Sequence, residues 1–152
     1  MRKVIRKNHT LRALADFPVR VTAMPVIVCQ RCGAEMLDGV DLEGVRQHLA
    51  SHFIASPNRL APQDARYLRR SLLLTQAELA KRIGITRVTV ARWETGAGSI
   101  SPQNDFILRG LVLAQLLRSG SVRAEVAAAS LGAVHTAEPR PHRGPVVLRD
   151  AA

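Results

Sequence analysis

The sequence predicts a mainly α protein, a four- or five-helix domain preceded by a small ββα unit. Three observations carry this. Aromatic residues make up 3% of the chain while apolar residues reach 47%. The apolar class is chiefly Ala, Leu and Val, which suits small helical units better than a β-sandwich. Between residues 62 and 118, helical segments follow one another, each opened by a capping or first-turn residue. Upstream, a Cys-x2-Cys pair precedes two histidines spaced four apart, the pattern of a small unit stapled by a metal.

The elements follow in order. "MRKVIRKNHT" is basic and unpatterned, so residues 1–18 read as a flexible arm. "FPVRVTAMPVIVC" is β-branched and interrupted by Pro18 and Pro25, which predicts two short strands, 19–22 and 26–28. "DGVDLEGVRQHLASHF" predicts a helix with Asp41 as N-cap, and Leu42, Val45, Leu49 and Phe53 fall on one stripe of it. These pieces make a ββα module over 19–55, followed by a linker at 56–61. Four helices are predicted beyond it: Gln63–Leu72, Gln76–Ile83, Arg87–Thr95 and Pro102–Arg118. Thr75 and Glu78 form a capping box for the second. Thr86 and Ser101 cap the third and fourth, and Gly96 closes the third. Residues 119–152 read as an Ala- and Pro-rich tail, largely disordered, with "VRAEVAAASL" as a frayed helix.

Formal net charge is +10. Residues 59–118 carry ten basic residues against four acids, and residues 25–58 carry two against four. A basic module beside a mildly acidic one points to a polyanionic partner for the basic part. "HTLRALADF" is interrupted by Arg12 and Asp16 and makes no signal-peptide core. No apolar run nears the roughly 20 residues of a membrane span. The expected location is the cytoplasm, at the nucleoid, where a Cys-x2-Cys is catalytic or metal-binding rather than a structural disulfide.

"LTQAELAKRIGITRVTVARWETG" holds most of the information. With Gln76 as the first position of a helix-turn-helix, Ala80 falls where only a small side chain lets two helices approach. Gly84 falls where the turn needs a left-handed residue. Leu79, Ile85, Val90 and Trp93 fall at the positions that pack the pair. Residues 62–118 thus resemble the Xre/Cro-like family of phage-repressor helix-turn-helix domains. The resemblance implies double-stranded DNA as partner and a third helix lying in the major groove. With Val90 and Trp93 turned inward, that helix presents Arg87, Val88 and Arg92. Arg donates two hydrogen bonds to guanine, while Val touches a thymine methyl. By resemblance Gln76 and Thr86, at helix N-termini, clamp phosphates together with Thr89. Arg69 and Glu94 match a family pair that is structural.

Cys29, Cys32, His48 and His52 form C-x2-C-x15-H-x3-H, a spacing suited to a tetrahedral structural Zn2+ site. A zinc-finger-like ββα unit of this size lacks enough apolar core to fold unaided, so metal ligation would supply the difference. A redox pair and ordinary surface histidines are the competing readings. A cysteine-knuckle module ahead of an Xre-like domain is similar to the layout of MqsA/YgiT-type antitoxins, and "CGAEM…LAPQDARYLRRSLLLTQAELA" carries the likeness. That family holds zinc with two Cys-x2-Cys pairs, and this chain has one.

Two functions follow as expectations. The first is a sequence-specific DNA-binding transcriptional regulator, a repressor acting as a homodimer at a palindrome, with "FILRGLVLAQLL" as a candidate dimer surface. The second is an antitoxin of a type II toxin–antitoxin module, which neutralises a toxin protein and represses its own operon. No catalytic constellation appears, so the chain is not read as an enzyme, and no membrane partner is expected.

Overall fold

The structure is a computed structural model that describes residues 1–11, 15, 17–121 and 146–148. The chain divides into two compact units, Met1–His48 with Arg143–Ala152, and Leu49–His142.

The first unit is built on a four-stranded sheet. Strand β1 (Arg2–Leu11) pairs antiparallel with β2 (Val19–Val28) along its whole length, from Arg2 opposite Val28 to Leu11 opposite Val19. The other edge of β2 is shared by two short strands. β3 (Glu35–Leu37) runs antiparallel beside residues 26–28, and β4 (Val146–Leu148) runs parallel beside residues 19–21. The segment expected to be a flexible arm is therefore strand over most of its length. Its cations stay exposed, so they lose little hydration, while β-branched Val4, Ile5 and Thr10 favour the extended backbone. Lys3 reaches Asp38 at 3.0 Å and Arg6 pairs with Glu35 across the sheet.

Nor does Pro25 break β2 into the two strands expected. Its carbonyl accepts the Asp38 N–H at 3.0 Å, so its polar edge faces the β3 side. Residues 22–25 have no strand partner there among the described residues. The missing proline N–H therefore costs no ladder hydrogen bond. Burial switches faces along β2. Val19 and Val21 are buried on one face, Met24 and Val26 on the other.

Helix α1 (Leu42–Ala55) opens as expected, with the Gly44 N–H donating to Asp41 Oδ1 at 3.0 Å. Val45, Leu49 and Phe53 of the predicted stripe are buried, while Leu42 is 36% exposed. The division between units falls within this helix, between His48 and Leu49.

The second unit contains the end of α1 and helices α2 (Pro62–Ser71), α3 (Gln76–Ile83), α4 (Arg87–Thr95) and α5 (Pro102–Arg118). The last three have the predicted bounds, and α2 is shifted by one residue. Its core gathers Phe53, Ile54, Leu68, Leu79, Val90 and Leu108, with the Phe53 and Tyr67 rings edge-on at 5.6 Å.

Residues 56–61, expected to be a linker, are fastened into this unit by a buried ion pair. Arg109 is fully buried and bonded to Asp105 one turn earlier. Its Nη1 donates to the carbonyls of Phe53, Ile54 and Ser56 at 2.7, 3.0 and 2.8 Å. Its Nη2 donates to Asn58 at 2.6 Å. Asp105 in turn accepts the Leu60 N–H at 2.7 Å. One guanidinium thus supplies donors to the orphan carbonyls at the end of α1 and to the strand of chain beyond. The tail expected to be disordered lies mostly outside the described residues, as does its frayed helix; Val146–Leu148 is strand.

Candidate nucleic-acid interface

The α3–α4 pair is set by local chemistry. Thr75 Oγ1 accepts the Glu78 N–H at 3.2 Å, and Glu78 Oε2 accepts the Thr75 N–H at 2.7 Å, closing the capping box. The Thr75 N–H and hydroxyl hold the Glu78 carboxyl below its ordinary range. α3 ends at Gly84, whose φ of +74° is left-handed, and the Ile85 N–H returns to the Ala80 carbonyl at 3.0 Å. Any residue with a Cβ is strained at that angle. Thr86 then opens α4, its hydroxyl accepting the Thr89 N–H at 3.2 Å and lying 2.9 Å from the Thr89 hydroxyl.

Packing fixes which face of α4 looks outward. Leu79, Ala80, Val90 and Trp93 are buried and Ile85 is partly so. On the opposite face Arg87, Val88 and Arg92 are exposed, Val88 by 66%, while Thr89 and Ala91 are half-buried. Arg92 Nη2 lies 3.5 Å from the Ala97 carbonyl, a contact weak enough to release the guanidinium to a ligand.

Glu94 holds the rear of the helix. It is buried and receives a two-pronged bond from Arg69, Nε to Oε1 at 2.6 Å and Nη2 to Oε2 at 3.0 Å. Gln76 Nε2 donates to Glu94 Oε2 at 2.9 Å, and Arg66 Nη2 donates to the Glu94 carbonyl at 3.2 Å. Burial alone would raise the Glu94 pKa. The bonds from Arg69 and Gln76 and the charges of Arg69 and Arg66 outweigh it and hold the carboxyl below its usual value. The Gln76 amide is thus already committed on one of its donors. Neither that engagement nor Arg66 was visible as sequence pattern, because the first depends on how α3 packs on α4 and the second on how α2 crosses it.

Charge on this unit is one-sided. Among the described residues 49–121 the acids are Asp64, Glu78, Glu94 and Asp105, and each is bonded to backbone or arginine within the unit. Only Glu78 is exposed, whereas Arg70, Lys81, Arg82, Arg87, Arg92 and Arg118 are exposed cations.

A family described as helix-turn-helix matches residues 66–104, the span from α2 to the start of α5. These residues form a helix-turn-helix domain. The match supports a DNA-binding regulatory domain over these residues. No curated protein and no solved structure matches the chain. Among the described residues no helix is long and apolar enough to cross a membrane.

The expected metal ligands fall on other elements of the chain. Cys29 and Cys32 occupy the β2–β3 turn as free thiols, and His48 and His52 lie on α1, His52 edge-on to Phe53 at 5.6 Å. The N–H groups of Cys32 and Arg31 and the Cys32 thiol bond to the Cys29 sulfur and hold its thiol below the ordinary value. As zinc ligands the two cysteines fit as a pair. Among the described residues no group of three or more His, Cys, Asp or Glu is placed to hold a metal ion.

Proposed function

We propose that the chain is a sequence-specific transcriptional regulator, a dimeric repressor that reads the major groove of double-stranded DNA with α4. The observation that carries this reading is the exposed Arg87–Val88–Arg92 face, held outward by buried Val90 and Trp93 within the matched helix-turn-helix. Arg87 and Arg92 serve as bidentate readers of guanine, Val88 contacts thymine, and Thr86 and Thr89 take phosphate at the N-terminus of α4. Gln76 joins the phosphate contacts through its remaining N–H. Dimerisation is supported by α5, where Phe106 and Leu117 are exposed by 55% and 54% with Gly110 between them. A twofold pair places two reading helices about one helical turn of DNA apart.

Selection of binding sequences from a random duplex pool by the purified chain, at fixed salt, should enrich a palindrome. Failure to enrich any sequence overturns the reading. Arg92→Ala should weaken binding to the selected site by roughly 5- to 150-fold, the value of one bidentate base contact of about 1–3 kcal/mol. Binding to random duplex should change far less; equal losses on both would make Arg92 a phosphate contact.

A second reading, the antitoxin, draws on the first unit. Ile5 and Met36 are exposed by 67% and 55% on one face of the sheet, where β2 carries Ile27 and Pro25 between them. Such apolar exposure fits a protein partner. Suppression of an RNase-like toxin encoded beside this gene, lost on Ile5→Asp, would establish it; the absence of any such neighbour would remove it.

A further inference from the structure

The β2–β3 turn presents both cysteines of the chain in a shaped and open loop. The Cys29 N–H donates to the Ala34 carbonyl at 2.9 Å and the Gly33 N–H to the Cys29 carbonyl at 2.8 Å, with Gly33 at φ +71°. This closes residues 29–34 into a knuckle. The same turn carries both free thiols, Cys29 half-buried and Cys32 exposed. Two sulfurs held on one tight turn are one half of a tetrahedral zinc set; a structural zinc needs four ligands.

The other half is not present in the described chain. Residues 30–37 are exposed without interruption, so the knuckle is open on its Cys32 side. No third His, Cys, Asp or Glu joins the pair among the described residues. A second copy of the same chain offers an identical pair, and a twofold axis through the metal brings the two together as four thiolates in two equivalent pairs. This is an isologous contact, in which each copy supplies what the other lacks. Charge favours the bridge as well. Each chain carries +10 and repels its copy. Zinc with four thiolates carries a net charge of −2, which places negative charge at the point of contact.

We infer that Zn2+ is shared between the Cys29–Cys32 knuckles of two copies of this chain. The bridge is independent of DNA reading and goes beyond it: a regulator built this way would assemble according to the zinc supply.

The test uses the full chain, reduced and stripped of metal, titrated anaerobically with Co2+ as a spectroscopic stand-in for Zn2+. The expected end point is one ion per two chains, with a sulfur-to-cobalt charge-transfer band of four-thiolate strength that Zn2+ abolishes. Native mass spectrometry should find metal on dimers or larger even assemblies and never on a lone chain. Cys29→Ser and Cys32→Ser should each lose the band, while His48→Ala and His52→Ala should leave the end point unchanged. Because a cysteine variant could lose its fold, the end point of the unaltered chain decides by itself. One ion per chain, loss of binding in the histidine variants, or no binding at all overturns the inference. DNA is absent from the assay, so none of these results bears on the reading of DNA.

Discussion

Leu73, in the turn between α2 and α3, is the one described residue other than glycine with positive φ, at 57°, and it is 88% exposed. A branched side chain in the left-handed region costs about 1–3 kcal/mol, while glycine costs about 0.5–1 kcal/mol more chain entropy than alanine on folding. Since the side chain packs on little, Leu73→Gly should stabilise the fold by up to about 2 kcal/mol in urea unfolding. A destabilised variant would show that Leu73 makes contacts that its exposure conceals. The sequence offers no warning of this strain, because a leucine beside two others reads as apolar packing.

Two elements are tied by charge, and each tie has a consequence. Glu94 holds α4 against α2 through Arg69. Its folded pKa is lowered, so the folded state favours the ionised form. The stability it contributes is complete above the ordinary glutamate value of about 4.3 and is lost as pH falls through the lower folded value. Acid unfolding should therefore steepen below about pH 4.3, and Glu94→Gln should flatten that limb; an unchanged profile would show that other carboxylates govern it. Arg109 ties α5 to the end of α1. Arg109→Met would leave Asp105 buried without its cation and four carbonyls without their donor. A loss of about 3–5 kcal/mol is expected in denaturant unfolding, and a loss below 1 kcal/mol would mean that water replaces the guanidinium.

The bounds of α3, α4 and α5 were legible because each is decided within a few residues, by Thr75 with Glu78, by Gly84 and by Thr86 and Ser101. The outward face of α4 was legible for the same reason, since Val90 and Trp93 fix it. Partners distant in sequence were not. The cations of β1 suggest a solvated arm, whereas pairing with β2 orders it. Pro25 reads as a break in sequence because its hydrogen-bonding side depends on β3. The Arg109 network joins residues more than fifty positions apart, though an Asp and an Arg four apart in an apolar helix were an available hint.

At the scale of the molecule, the acids of the helical unit are spent on internal bonds, and its exposed charge is almost wholly positive. Affinity for random duplex should fall linearly in log–log with salt, each neutralised phosphate adding about 0.9 to the slope. A slope shallower than that of a single phosphate, in filter binding between 50 and 200 mM salt, would leave this surface without a nucleic-acid role.

The parallel strand β4 sets an order of events in synthesis. Val146 and Leu148 are buried beside Val19 and Val21, so the sheet closes on residues translated well over a hundred positions after β2. The helices from α2 to α5 leave the ribosome in that interval, and domains fold as they emerge. The helix-turn-helix unit can thus mature while the unit that begins the chain still waits for β4, and a message cut short before residue 146 should yield a protein that has helices α2 to α5 but keeps an open edge on β2.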